Sequence, residues 1–369
     1  MRPRSFPDSA KAARSAALAF FLSLPGFQCQ GQTITLFDVP SPAGGPMGIA
    51  PGFGHELWLT TIYSVPVDKI CRITTTGQIT CFDLPWICDG GALLGCYPYS
   101  IVAAPDGYLW FGQLFGALGR STIAGEMVQR WDLSAALGAS QVMVGADRGL
   151  WGTVPDQHNL FRVDLASGVQ QYFATPTRPS HPVGITMAAD GNMWFTEENA
   201  HQIGRLDPAT GVITEYRPPH LNSAPRGITA GPDGNVWYVG LVGGFVGRVT
   251  PAGQISEFAI AQTEDRLTGI CAGPDRNLWV VGQGATRVWR VNPEGAVTEF
   301  PIPGGSRGGS QITTGPDGNL WFTMTNAHKI GRVNMAAVAA AAEVPALSPP
   351  ALAALGLAIA LAAVRLLRR

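Results

Sequence analysis

Only 14% of this chain is charged, so any chemistry has to come from few residues. The densest grouping is His181, Glu197, Glu198 and Arg226. A histidine beside a carboxylate is the pairing that general acid–base chemistry uses: imidazole exchanges protons near neutral pH and the carboxylate orients it. Arg226 adds a permanent cation, and Tyr99 adds a hydroxyl that can both donate and accept. His181 and Glu197 are therefore the candidate catalytic pair, with Tyr99, Glu198 and Arg226 as candidate ligand contacts. The competing reading of the same residues is a solvated rim held by a structural ion pair. Other clusters carry less. No Cys-x-x-Cys or His-rich spacing suggests zinc. The run Gly304-Gly305-Ser306-Arg307-Gly308-Gly309 lacks the Gly-Lys-Ser/Thr ending of a phosphate loop. Glu264, Asp265 and Arg266 read as a solvated loop, and His201 and His328 as solvent-facing turn residues at matching repeat positions.

What positions these residues is a repeat. Trp58, Trp110, Trp151, Trp194, Trp237, Trp279 and Trp321 follow one another at steps of 52, 41, 43, 43, 42 and 42 residues. One aromatic per unit of that length, with four short strands per unit, predicts an all-β, seven-bladed β-propeller. The unit is clearest in Pro182-Val183-Gly184-Ile185, Asp190-Gly191-Asn192-Met193-Trp194-Phe195-Thr196-Glu197, Ile203-Gly204-Arg205 and Ile213-Thr214-Glu215-Tyr216. Gly-Ile marks the innermost strand and Asp-Gly-Asn a tight hairpin turn. The Trp strand comes second, Ile-Gly-Arg third, and the alternating Ile-Thr-Glu-Tyr segment outermost. The seventh unit ends at Arg332-Val333-Asn334 without an outer strand, while the chain opens with an orphan one, Ile34 to Pro40. That strand is predicted to complete the seventh blade and close the ring.

Two recurrent positions face the mouth where such rings bind ligands. The residue before Gly-Ile is Met47, Tyr99, Ser140, Val183, Arg226, Thr268 or Ser310, and the residue three beyond the Trp is Thr61, Gln113, Val154, Glu197, Gly240, Gly282 or Met324. Both sets are mostly small or apolar, which is thin material for acid–base catalysis.

The ends differ from the ring. Residues 1–32 read as a signal peptide, a basic stretch followed by the short apolar run Ala16 to Leu24. The propeller is placed at 33–335, an Ala-rich linker at 336–343, and a hydrophobic helix with a basic end at 344–369. Val344-Pro345-Ala346-Leu347-Ser348, the apolar helix and the closing Arg365, Arg368 and Arg369 resemble the IPTL-CTERM and PEP-CTERM sorting signals of Gram-negative bacteria. The resemblance implies an exported domain held at the membrane or cell envelope, or secreted, with a sorting protease as a partner of the tail. Without its tails the ring carries 18 basic and 24 acidic groups, a net −6, which excludes a nucleic-acid footprint. Six cysteines suit export, and disulfides are predicted at Cys71–Cys81 and Cys88–Cys96, with Cys271 a buried free thiol. Cys29 could also anchor a lipid.

The motif Pro-x-Gly-Ile, Asp-Gly-Asn-x-Trp-Phe-Thr-Glu, Ile-Gly-Arg, Ile-Thr-Glu-Phe resembles the streptogramin lyases, typified by virginiamycin B lyase, over residues 34–334. The resemblance implies a Mg²⁺-dependent elimination that opens a cyclic depsipeptide at its ester. It also implies a catalytic His at the position of Ser310, Glu at Gly308 and Thr325, a second His at Thr268 and a Tyr at Met47. Each is replaced here by a residue that is neither a base near pH 7 nor a carboxylate.

Two function classes follow. The first is a surface-displayed propeller that binds a small ligand or a partner. The second is a lyase of the same type, with Mg²⁺ and with His181 and Glu197 taking over the chemistry. A gluconolactonase-like hydrolase would need carboxylate and Asn/Asp groups converging on the channel, which the inner strands lack.

Overall fold

The computed structural model describes residues 33–40, 43–64, 68–84, 97–113, 117–133 and 138–343. Residues 34–334 form seven four-stranded antiparallel sheets, six of them ordered from inner to outer strand along the chain and the seventh taking its outer strand from Ile34–Asp38. Blade 4 shows the pattern, with strands Pro182–Met187, Met193–Glu197, Gln202–Leu206 and Ile213–Tyr216. Its first turn is shaped by Gly191 at φ 79° and by Asp190 Oδ1, which accepts the Asn192 N–H at 3.0 Å.

Each repeat tryptophan is buried and binds its blade to the next. Trp58 packs on Ile101, Leu109 and Phe111 of blade 2, Trp237 on Leu267, Ile270 and Leu278 of blade 6, and Trp321 on Ile49, Leu57 and Leu59 of blade 1. In five blades the indole N–H also donates to the turn aspartate four residues earlier, as Trp237 does to Asp233 at 3.0 Å. In those five blades the turn residue that shapes the hairpin thus satisfies the buried indole donor.

In five blades an aromatic ring on the second or third strand needs a bare backbone opposite it. Phe195 faces Gly204, where a Cβ would fall 2.0 Å from the ring. Blade 3 reverses the pair: Gly152 now sits on the second strand, facing Phe161 on the third. The volume is conserved while the residues trade strands.

Closure is as expected. Ile34–Asp38 pairs antiparallel with Lys329–Val333, from Ile34 against Val333 to Asp38 against Lys329. Phe37 stacks on Trp321 at 5.4 Å, the place that Phe258 takes against Trp237 in blade 5.

The Cys71–Cys81 disulfide joins directly opposed residues on the third and outer strands of blade 1. Reducing it releases a loop of 10 residues, and the melting midpoint should fall by the equivalent of about 2–3 kcal/mol when reductant is added. Cys271 is a free, half-buried thiol. Cys29, Cys88, Cys96, the signal peptide (1–32) and the tail (344–369) lie outside the described residues. The Ala-rich stretch 336–343 lies within a helix, Met335–Glu343, as its alanine content favours. Among the described residues no helix is long and apolar enough to cross a membrane.

Candidate functional site at one mouth of the ring

The site begins with an irregularity in the inner strands. Pairing slips between Pro182 and Ile185 in blade 4, between Pro225 and Ile228 in blade 5, and between Gly309 and Ile312 in blade 7. The bulge sets one side chain per blade toward the channel and frees a backbone N–H. A threonine recaptures it: Gly184 N–H donates to Thr196 Oγ1 at 2.8 Å, and that hydroxyl donates onward to the Arg226 carbonyl at 2.8 Å. Blade 4 thereby fixes the backbone that carries Arg226. Thr153 holds Val183 in the same way, and Thr323 holds Met47 across the ring closure.

Just ahead of each bulge the chain turns left-handed, even without glycine. His181 has φ 55°, Ala224 φ 45°, Arg266 φ 48° and Tyr97 φ 46°. Non-glycine residues hold that conformation only where their surroundings over-determine it. Here a histidine of the preceding blade supplies the constraint. His181 N–H donates to His158 Nδ1 at 3.3 Å and Ala224 N–H to His201 Nδ1 at 3.2 Å, both 23 residues apart. His201 is thus a half-buried clasp between blades, not a solvent-facing turn residue; an imidazole nitrogen without its proton is a good backbone acceptor. His158 was not singled out by its sequence context, although its offset to His181 equals that from His201 to Ala224.

Two cavities result. One, of about 260 Å³, occupies the channel and is lined by Tyr99, Gln141, Val183, Arg226, Thr268, Cys271 and Ser310, among others. The second, of about 210 Å³, opens at the mouth between Tyr99, Gly138, Ser140, Pro155, Asp156, His181, Val183, Glu198 and Arg226. Tyr99, Val183 and Arg226 line both. Arg226 Nη2 donates to the Tyr99 hydroxyl at 3.0 Å, a link from blade 5 to blade 2.

Charge at the mouth is mixed. His181 lies with Nε2 3.8 Å from Asp156 Oδ1 and Nδ1 3.6 Å from Glu198 Oε2. Burial is the largest single effect on Glu198 and would raise its pKa. The neighbouring His181 imidazole, with the charges of Arg226 and Arg266, outweighs burial and holds the carboxyl below its ordinary range. Tyr99 first, and Glu198 after it, keep Arg226 firmly charged against the cost of burial. The mouth therefore presents an ionised Glu198 and a permanent Arg226 cation.

The structure brings together Tyr99, His181, Glu198 and Arg226, and leaves Glu197 out. Glu197 and Glu198 are neighbours on an extended segment and point to opposite faces. Glu197 is fully buried, beside Glu215 of its own outer strand. Burial, then the Glu215 charge and a hydrogen bond to Glu215, push its pKa up to about 8. With its amide turned so that each end meets a complementary partner, Gln202 donates to Glu197 Oε2 at 3.2 Å and accepts from Arg217 Nε at 3.2 Å.

The positions aligned by resemblance close on one another. Thr325 donates to the Pro46 carbonyl at 2.7 Å, so in the 2.6 Å contact between Ser310 Oγ and Thr325 Oγ1 the serine donates. Thr268 donates to the Gly309 carbonyl at 2.8 Å. Gly308 carries φ 112°, and Met47 offers a thioether. These groups supply no carboxylate for Mg²⁺. Among the described residues no group of three or more His, Cys, Asp or Glu is placed to hold a metal ion.

Residues 142–303 and 246–360 match the model of the Virginiamycin B lyase family. The chain belongs to that family. The two matches overlap, as a model of repeated blades does when shifted along a ring. Among solved structures, a catalytically inactive histidine-to-alanine variant of virginiamycin B lyase from Staphylococcus aureus, crystallised with quinupristin, is 28% identical. The match covers 81% of this chain and 98% of that one, at a TM-score of 0.72. A streptogramin B lyase structure is 27% identical, with 82% and 97% covered and a TM-score of 0.72. A hydrazine synthase chain from Kuenenia stuttgartiensis, 13% identical with 79% and 96% covered at TM-score 0.61, shares the fold alone. No curated protein sequence matches the chain.

Proposed function

We propose that this member of the virginiamycin B lyase family is an exported, surface-displayed binding protein that holds a small polar ligand in its mouth pocket and does not open streptogramins. The Ser310–Thr325 pair carries the reading. At the position where the family resemblance implies a catalytic histidine stands a hydroxyl already committed to Thr325, which is itself committed to the Pro46 carbonyl. Neither group takes a proton near neutral pH, and neither stabilises a developing enolate through a metal. The polar groups that remain unspent are on the other side of the same mouth, at Tyr99, Asp156, His181, Glu198 and Arg226. Export and display rest on the sequences of the two ends, with the tail as membrane anchor and substrate of a sorting protease.

The test is to incubate the purified protein with quinupristin and Mg²⁺ and to follow ring opening by chromatographic separation with fragment-ion mass spectrometry, since elimination leaves the total mass unchanged. Ring opening should not exceed that of a control without protein. Turnover that disappears in His181→Ala would establish the lyase reading instead, with His181 as base and Asp156 and Glu198 as its carboxylates.

A further inference from the structure

The mouth pocket carries fixed charges of both signs in its lining. Arg226 supplies a fixed cation, with the Tyr99 hydroxyl beside it. That hydroxyl accepts from Arg226, and its own proton meets no acceptor among the described residues. It can therefore donate to an incoming oxygen without releasing the arginine. Asp156 and Glu198 supply the carboxylates, each beside a different nitrogen of His181. The Asp156 side chain is 60% exposed and marks the open edge. Pro155, Val183 and Gly138 give the remaining wall no charge.

Resting on the reading that this pocket is the binding site, we propose that its ligand class is a small zwitterion of amino-acid size, its carboxylate toward Arg226 and Tyr99 and its ammonium toward Asp156 and Glu198. A bare anion drawn to Arg226 would lie in the field of two carboxylates. A bare cation drawn to those carboxylates would lie in the field of a half-buried guanidinium. A molecule with both charges meets each with its complement. The volume of about 210 Å³ limits it to one residue, and the apolar wall suits an aliphatic side chain.

Calorimetric titration of the purified protein with L-leucine, isocaproate and isoamylamine tests this. The three share a hydrocarbon shape, and the last two lack the ammonium and the carboxylate respectively. L-leucine should bind, with each analogue at least roughly tenfold weaker, because a missing partner leaves a desolvated charge unpaired. Asp156→Asn, at the exposed rim, should weaken L-leucine and, by removing a repelling carboxylate, should not weaken isocaproate. Glu198→Gln should do the same, with its melting curve recorded to separate binding from folding. Equal binding of either analogue, no effect of Asp156→Asn, or no binding of L-leucine or any other amino acid overturns the proposal. The pocket itself is a separate matter. It fails as a binding site only if a fragment library also leaves it empty in crystals of the protein.

Discussion

Glu197→Gln will make the protein more stable, and increasingly so as the pH rises. Glu197 is wholly inside the blade, with Glu215 beside it. Glu215 already accepts from Thr177 N–H at 2.9 Å and Thr177 Oγ1 at 2.6 Å, so it stays the carboxylate of the pair. Glu197 Oε2 accepts from Gln202, and Oε1 has no hydrogen-bond donor to receive. The arrangement is complete when Oε1 carries a proton that it gives to Glu215. Blade 5 meets the same need with a permanent donor, the Tyr238 hydroxyl to Glu257 at 2.8 Å. The sign follows from the direction of the shift. A carboxyl whose folded pKa is raised from 4.5 to about 8 contributes fully to stability below pH 4.5, and that contribution is lost as pH rises toward 8. Glutamine places an amide N–H where the proton was and never ionises. Above pH 8 the gain should be on the order of 3 kcal/mol, shrinking to near zero at pH 4.5. Urea denaturation across that range reads it. A variant whose stability runs parallel to the parent's at all pH values would show that Glu197 is not the group that titrates.

The ring was legible in the sequence because it is written seven times. One tryptophan step reports one blade, and the glycine opposite Phe195 or Tyr238 recurs because no side chain fits there. The orphan strand was legible because the last unit lacked one. The site was less so, for a reason visible at Glu197 and Glu198. A repeat alignment assigns positions to strands, but the last residue of a strand and the first of a loop look alike. One residue decides whether a carboxylate faces the mouth or the blade interior. Asp156 escaped for a similar reason: it sits in a short 3₁₀ turn, Pro155–Gln157, that has no counterpart between the second and third strands of blade 4. The His201 clasp was misread, and the His158 one passed over, because sequence shows a polar residue in a loop and not the N–H it caps.

The other large effect belongs to Phe37. In an ordinary blade the outer-strand aromatic lies between its own tryptophan and the bare turn glycine of the next blade, as Phe258 lies between Trp237 and Gly295. Phe37 does this for the closing blade, where its ring stacks on Trp321 and lies where a Cβ on Gly77 of blade 1 would be 2.1 Å away. Arg332 covers it at 5.5 Å and reaches on to donate to the Thr75 carbonyl at 2.8 Å. One side chain from the start of the chain therefore joins the last blade to the first. Phe37→Ala should cost about 3 kcal/mol, the usual range for a large aromatic lost from a packed site. Phe258→Ala, at the equivalent place within continuous chain, should cost a similar amount in a denaturant midpoint. Only Phe37→Ala should also speed amide exchange along Ile34–Asp38 and Lys329–Val333, because there the strand is held by pairing and packing with no covalent turn. Unchanged exchange in those two strands would mean that the backbone ladder closes the ring without the aromatic clamp.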